Sequence, residues 1–301
     1  ADGAGRAAAG EGGGVLVGRH RATRGSCAVA RAPAPIDLET VGRARGRLTV
    51  VGIGPGASDW RTPAAAKALT AATDVVGYGL YLDLIADLTT GKTLHMSDLG
   101  AEEDRVKKAL DLAAEGRPVA LVSSGDAGIY ALAALVYELL ETADDPAWNR
   151  IDVSVIPGIS AMQAAAARIG APLGHDFCAI SLSDLLTPWE DIECRLEAAA
   201  AGDFVVALYN PVSKRRRKQL ARARDILLRA RPPQTPVVLA RNLGRDGETV
   251  TVKTLADLDP DKVDMLTLVL IGSSNTRVIE SDSGSRVFTP RGYSAKTKAA
   301  Q

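Results

Sequence analysis

Four short stretches of small and polar residues have the composition to hold a ligand: Gly52-Ile53-Gly54-Pro55-Gly56, Ser123-Ser124-Gly125-Asp126, Pro157-Gly158-Ile159-Ser160-Ala161 and Leu208-Tyr209-Asn210-Pro211. Each follows an apolar run that reads as a buried strand. Small residues let the main chain approach a ligand closely, and loops at the carboxyl ends of strands are where α/β sheets bind small molecules. The polar atoms on offer are the Asp126 carboxylate, the Ser124 and Ser160 hydroxyls and the Asn210 amide. Four such loops describe one crevice.

Residues 52–57 match the dinucleotide pattern with alanine in the last place, but Pro55 has no N–H for a phosphate. The next helix begins only near Pro63, so its positive end does not sit on the loop. No acidic residue closes the second strand to hold a ribose, because Asp74 opens it. The loop therefore reads either as a ligand wall or as a tight turn. The Ser123–Asp126 loop lacks the Lys-Ser/Thr pair of a phosphate cradle. Asp126 either faces a ligand or caps the following helix, and both roles are compatible. Pro211 restricts Asn210 to extended geometry. The run Lys214-Arg215-Arg216-Arg217-Lys218 is either a solvated helix face or a seat for carboxylates.

Holding these loops together requires an alternating framework. Strands are predicted at 47–53, 74–77, 118–122, 152–156, 176–182, 203–208, 236–240, 248–253 and 266–271. Helices are predicted at 63–72, 79–86, 101–115, 128–142, 160–169, 189–200, 215–230 and 254–257. Strand–helix alternation implies an α/β fold: two α/β domains with mixed, mainly parallel sheets and a cleft between them. Thr62 before Pro63, and Ser160 after Pro157-Gly158, predict helix starts; Gly170 and Gly202 predict helix ends. Residues 1–46 read as a weakly ordered leader, 47–170 as one domain, 171–280 as the other and 281–301 as a polar tail, with Gly170–Gly174 as the linker.

Bulk properties narrow the function. Lys plus Arg and Asp plus Glu number 36 each, so no global field recruits nucleic acid or an anionic membrane. No apolar run approaches the ~20 residues needed to span a bilayer, and the start lacks the apolar core of a secretory signal. Cys27, Cys178 and Cys194 are odd in number and dispersed, which fits reduced thiols in a cytoplasmic protein and argues against a disulfide framework. His20, His95 and His175 show no ligand spacing, so no metal site is expected.

The Gly-x-Gly-Pro-Gly start, the Ser-Gly-Asp loop and the Pro-Gly-x-Ser-Ala loop together resemble the tetrapyrrole methylases, enzymes that use S-adenosylmethionine (SAM). Val122–Tyr130, Ile180-Ser181-Leu182-Ser183-Asp184-Leu185-Leu186-Thr187-Pro188-Trp189, Ala207–Pro211, Arg241–Glu248 and Thr289–Tyr293 resemble the precorrin-3B C-17 methyltransferase branch of cobalamin biosynthesis. The resemblance covers residues 47–293. In the leader, 12–17 and 29–33 resemble the end of a lactone-opening protein of the same pathway, sometimes fused ahead of this methylase.

That resemblance implies a homodimer and a SAM site including Pro55, Ser124, Gly125, Asp126, Ile129, Ser160, Ala161, Asn210 and Asn242, with Leu266 and Thr267 beside it. Asn210 stands where the superfamily often has an apolar residue, typically Met. It implies a tetrapyrrole (precorrin) substrate bearing many carboxylates, which would give Lys214, Arg215, Arg216, Arg241 and Arg245 a purpose. The implied reaction methylates carbon 17 and contracts the ring; a positioned acid or base would assist the contraction. Candidates are Asp184, preferred here, and Asp98, Glu102, Glu103, Tyr78, Tyr81 and His175; for Asp184 the alternative is a turn or cap before Trp189. Competing readings are methylation of another tetrapyrrole position, a diphthamide-type methylase, a nicotinamide oxidoreductase and a non-catalytic pathway partner.

Overall fold

The computed structural model describes residues 46–293 except 144, 214 and 283, and all of these lie in one compact unit. Nearly all of the predicted leader, Lys214 and the tail beyond Tyr293 fall outside the described residues.

The first sheet is wholly parallel: β1 (Arg47–Gly52), β2 (Asp74–Tyr78), β3 (Thr93–Ser97), β4 (Pro118–Ser123) and β5 (Asp152–Ile156), in the order β3-β2-β4-β1-β5. Alternate residues along each strand serve opposite faces. Leu48, Val50, Val76, Val119 and Leu121 pack with α3 (Glu102–Ala114) and α4 (Leu132–Thr142) through Val106, Leu110 and Val136. Val51, Val75, Ala120 and Val122 pack with α1 (Pro63–Ala71) and α2 (Gly79–Asp83) through Ala65, Leu69 and Leu82. Continuous apolar runs arise because both faces are covered.

The second sheet contains β7 (Phe177–Ser181), β8 (Val205–Tyr209), β9 (Pro236–Arg241), β10 (Thr249–Thr254) and β11 (Thr267–Ile271), in the order β10-β9-β11-β8-β7. Only β7 and β8 run parallel; the other three pairs are antiparallel. Val206, Leu208, Val237, Val269 and Ile271 face α6 (Trp189–Ala201) and α7 (Gln219–Leu228). Val205, Ala207, Val238, Ala240, Leu268 and Leu270 face α5 (Ala161–Ile169) through Met162, Ala165 and Ile169. Helix α5, expected in the first half, therefore packs in the second core.

Several boundaries differ from the sequence reading. Strand β3 was not anticipated: it is an edge strand whose residues are exposed or half-buried, so it lacks an apolar run. Residues 254–257 end β10 and turn instead of forming a helix. Helix α7 starts at Gln219, so the described part of the basic run lies in a loop. The expected polar tail contains β13 (Arg286–Phe288), which pairs with β12 (Arg277–Ile279) and with β6 (Gly170–Ala171). Val287 and Thr289 are buried there.

The caps follow their chemistry. Thr62 Oγ1 accepts from the Ala65 N–H ahead of α1. Ser160 and Gln163 form a reciprocal capping box on α5. Gly170 ends α5 at φ 140°, and a Cβ there would lie 2.5 Å from the Val287 carbonyl oxygen.

Candidate active site

Neighbouring strands β1 and β4 lead to helices on opposite faces of their sheet, which opens a crevice at their carboxyl ends. There Gly54 N–H donates to the Gly125 carbonyl at 3.1 Å and Gly125 N–H to the Gly54 carbonyl at 2.7 Å. Both glycines have positive φ, 80° and 67°. The third loop is as close: a Cβ on Gly158 would lie 2.1 Å from the Gly125 oxygen. Asp126 fastens this arrangement, its Oδ1 accepting from Gly128 N–H at 2.8 Å and its Oδ2 from Gly158 N–H at 3.0 Å. Both oxygens are thus committed to loop backbone. Asp126 does not cap α4, which starts at Leu132 after Ala131, later than the predicted 128.

The second sheet approaches the same space with side chains. Tyr209 ends β8, and its hydroxyl accepts from the Met162 N–H at 3.2 Å, at the start of α5. Its ring lies 5.2 Å from that of Tyr130, whose hydroxyl donates to the Ala179 carbonyl at 2.8 Å. Asn210 Nδ2 donates to Ser181 Oγ at 3.0 Å. Because β11 runs antiparallel to β9, its first residues arrive at the end of β9, where Asn242 N–H donates to the Leu266 carbonyl. Tyr130, Asn210 and Asn242 all adopt left-handed backbone, with φ between 49° and 55°. Such geometry is costly outside glycine and concentrates at ligand sites; for Asn210 it replaces the extended geometry expected before proline.

Arg245 joins the two sides. Its Nε donates to the Pro55 carbonyl at 2.8 Å and another guanidinium nitrogen to Ser124 Oγ at 2.7 Å. Its Cζ stands 5.9 Å from the centre of the Tyr81 ring. Burial lowers the Arg245 pKa, an effect the Tyr81 hydroxyl partly opposes. Burial raises the pKa of Tyr81, Tyr130 and Tyr209, which keeps all three as neutral phenols.

These loops enclose a cavity of about 330 Å³, within the range of small-molecule sites. Pro55, Ser124, Gly125, Asp126, Ile129, Ser160, Ala161, Asn210 and Asn242 all line it, as do Leu266 and Thr267. Ser123 also lines it, and its buried hydroxyl has no hydrogen-bond partner.

Other sequence candidates lie elsewhere. Asp184 is outside the lining; one carboxylate oxygen accepts from Gln219 Nε2 at 2.8 Å and the other lies 3.8 Å from the Arg216 guanidinium. Arg216 turns inward, donating to the Asn210 carbonyl at 3.0 Å and to Ser183 Oγ at 3.3 Å, and burial lowers its pKa. It therefore braces the Asn210 turn from behind. Arg241 is paired with Asp264 at 2.7 Å, and Arg215 is exposed away from the cavity. Among the acid–base candidates, Tyr78, Tyr81 and Glu102 line the cavity, whereas Asp98, Glu103 and His175 do not.

Arg105, Tyr130 and Tyr209 line it as well, without having been singled out as site residues. Arg105 left a readable signal: it falls on the buried stripe of α3 with Val106, Ala109, Leu110, Leu112 and Ala113, an unusual place for a cation.

Residues 47–259 match the family model described as Tetrapyrrole (Corrin/Porphyrin) Methylases. The chain is 48% identical over 252 residues to the cobalamin biosynthesis protein CobIJ of Mycobacterium bovis, covering 82% of this chain and 48% of that one. It thus spans about half the length of the mycobacterial relatives it matches. It is 46% identical over 255 residues to the precorrin-3B C(17)-methyltransferase of a Sinorhizobium species, covering 84% of this chain and 99% of the relative. The crystal structure of the methyltransferase CobJ superposes with a TM-score of 0.76 at 46% identity, covering 81% of this chain and all of that one. Sequence, fold and the convergence of the loops agree: the chain belongs to the tetrapyrrole methylases.

Proposed function

We propose that this chain is a SAM-dependent methyltransferase that methylates carbon 17 of a precorrin-3B or cobalt-factor III macrocycle, with ring contraction, in cobalamin biosynthesis. The observation that carries this reading is the convergence of the loops at Pro55, Asp126, Ser160 and Asn210 on one cavity. The similarity along 99% of a precorrin-3B C(17)-methyltransferase supports the acceptor.

The residues present suit SAM better than a nucleotide diphosphate. The glycine loop contains Pro55 and no lysine, and the wall offers hydroxyls, amides and main-chain groups, including the unpartnered Ser123 hydroxyl. SAM supplies a sulfonium-bound methyl group to a carbon nucleophile. The protein's part is mainly positioning, because an in-line transfer needs the partners held within reach and alignment. Asp126 keeps two loops in register through Gly128 and Gly158, Ser160 starts α5 at the wall, and Asn210 and Asn242 hold the opposite side.

Ring contraction requires a proton to move at a ring hydroxyl, and the lining offers the Glu102 carboxyl and the Tyr81 hydroxyl for it. Burial raises the Tyr81 pKa, so it stays a protonated phenol able to hydrogen-bond the ring hydroxyl, and Glu102 is the carboxyl that lines the cavity with it. This assignment replaces Asp184, whose carboxylate is engaged by Gln219 and Arg216.

Calorimetry with S-adenosylhomocysteine against NAD, followed by methyl transfer from labelled SAM to precorrin-3B or cobalt-factor III, tests the reading. Binding of NAD in place of S-adenosylhomocysteine would refute it. The same reading makes the enzyme a cytoplasmic homodimer; sedimentation of the purified chain tests the dimer, and fractionation of cells that express it tests the compartment. Among the described residues no helix is long and apolar enough to cross a membrane.

A further inference from the structure

Two guanidinium groups on the cavity wall lack the carboxylate partner that several other arginines of the fold possess. Arg61, Arg168, Arg216, Arg231 and Arg241 each have a carboxylate within 4.0 Å. Among the described residues Arg105 and Arg245 have none, yet both line the cavity. Arg105 is only 4% exposed. Its Nε donates to Ser97 Oγ at 2.6 Å and another nitrogen to the Asp98 carbonyl at 2.7 Å. Arg245 likewise bonds only neutral oxygens, the Pro55 carbonyl and Ser124 Oγ. Neutral acceptors orient a guanidinium without neutralising it, and a desolvated charge without a counter-charge is costly.

Both charges line the same cavity and bear on one group: each acts electrostatically on the Tyr81 hydroxyl, and the Arg245 guanidinium carbon stands 5.9 Å from the Tyr81 ring centre. The acids on the wall are bonded elsewhere and form no ion pair with either guanidinium. Asp126 commits both oxygens to the Gly128 and Gly158 N–H groups, and Glu102 accepts from the Gly100 N–H. The basic run that the sequence offered for acidic substrates contributes none of its described residues to the lining.

We propose that Arg105 and Arg245 bind peripheral carboxylates of the tetrapyrrole on the cavity wall that also carries Tyr81, and so fix which edge of the macrocycle faces the methyl donor. The inference rests on the functional reading above and adds the groups that orient the substrate. Guanidinium forks suit this task because they grip carboxylates in a plane, whereas an ammonium group acts as a point charge. Arg245 also spans the two sides of the cavity, so substrate binding there draws on loops from both sheets.

A carboxylate could also come from the amino-acid end of SAM, and the experiment separates the two sources. With the full chain, the dissociation constants of S-adenosylhomocysteine and of cobalt-factor III are measured for wild type, Arg245→Gln, Arg245→Lys and Arg105→Gln, with circular dichroism as a check on folding. Arg245→Gln should weaken macrocycle binding about tenfold or more while S-adenosylhomocysteine changes less than about threefold. Arg245→Lys should recover part of the loss, because it restores charge without the fork. Equal macrocycle affinity in wild type and both glutamine variants overturns the inference alone. A loss of S-adenosylhomocysteine affinity as large as the macrocycle loss also overturns it, since a residue that merely pins the Pro55 and Ser124 loops would produce that. If the wild-type chain itself binds S-adenosylhomocysteine but no macrocycle, the functional reading falls and the inference falls with it.

Discussion

The two sheets reach one cavity by different physical means. On the first, three loops are packed main chain against main chain, with Gly52, Gly54, Gly125 and Gly158 where any side chain would collide or strain. On the second, Asn210 and Asn242 take left-handed backbone, Tyr209 holds the start of α5 at Met162, and Arg245 reaches across to Pro55 and Ser124, answered by Tyr130, which reaches back from the first side to Ala179. The first wall is fixed by exclusion and has little room to adapt. The second is fixed by side-chain partners and can be retuned one residue at a time. Lesions should therefore be severe and general on the first wall and graded on the second.

The largest effect is expected at Gly158. Alanine there places a carbon 2.1 Å from the Gly125 oxygen, and neither backbone has space to retreat. Gly158→Ala should cost about 3 kcal/mol in urea unfolding and abolish S-adenosylhomocysteine binding. A stable variant that binds normally would break the contrast between the walls.

Asp74 offers a lesion in the first sheet away from the cavity. It is nearly fully buried; burial pushes its carboxyl up, but hydrogen bonds from His95, Thr73 and Arg117 outweigh this and hold it below the usual value. A lowered folded-state pKa contributes stability above the unfolded pKa, and that contribution is lost as pH falls through the folded value. Asp74→Asn should thus cost about 2 kcal/mol at pH 7, and the gap from wild type should narrow below about pH 4, with ligand affinity unchanged. A gap independent of pH would show that the carboxylate charge is immaterial.

Asp126→Ala removes the acceptor shared by Gly128 and Gly158 and should weaken S-adenosylhomocysteine about tenfold in calorimetry, near 1.4 kcal/mol. Unchanged affinity would mean that the loop register survives without it. The smallest effect is expected from Arg217→Ala with Lys218→Ala. Both residues are exposed and outside the cavity lining, so macrocycle affinity should change less than about twofold. A larger change would restore the basic run as a substrate seat.

The same contrast explains what the amino-acid sequence disclosed. Walls built by exclusion leave glycines in a row after an apolar strand, so the turns near Gly54, Gly125 and Gly158 were legible, as were the Thr62 and Ser160 caps. Side-chain walls leave a fainter mark: the Leu208–Pro211 loop was legible, but not the contacts its neighbours make. Arg245, named through the resemblance, shows its tie to residues 55 and 124 only in the fold, and Arg216 reads as one cation among five until its guanidinium is seen turned inward. Helix α4 begins later than predicted because Asp126 gives its oxygens to the loops. Strand β3 escaped notice because an exposed edge needs no apolar run. Parallel pairing was legible for the first sheet from its two-faced burial. The antiparallel pairs of the second depend on long-range contacts that local sequence does not encode.

The strand at Arg286–Phe288 extends the reach of the site to the far end of the described chain. It lies parallel to Gly170–Ala171, immediately after the helix whose opposite end, Ser160 and Ala161, borders the cavity. Thr289 fastens the junction through the Pro172 carbonyl at 2.6 Å and the Thr276 hydroxyl at 2.8 Å. Residues more than a hundred positions apart thus act as a buckle on one helix. Clipping the chain before Arg286 would remove the strand pairing and the Thr289 bonds at the far end of that helix, so a segment outside the cavity lining bears on how the lining is held.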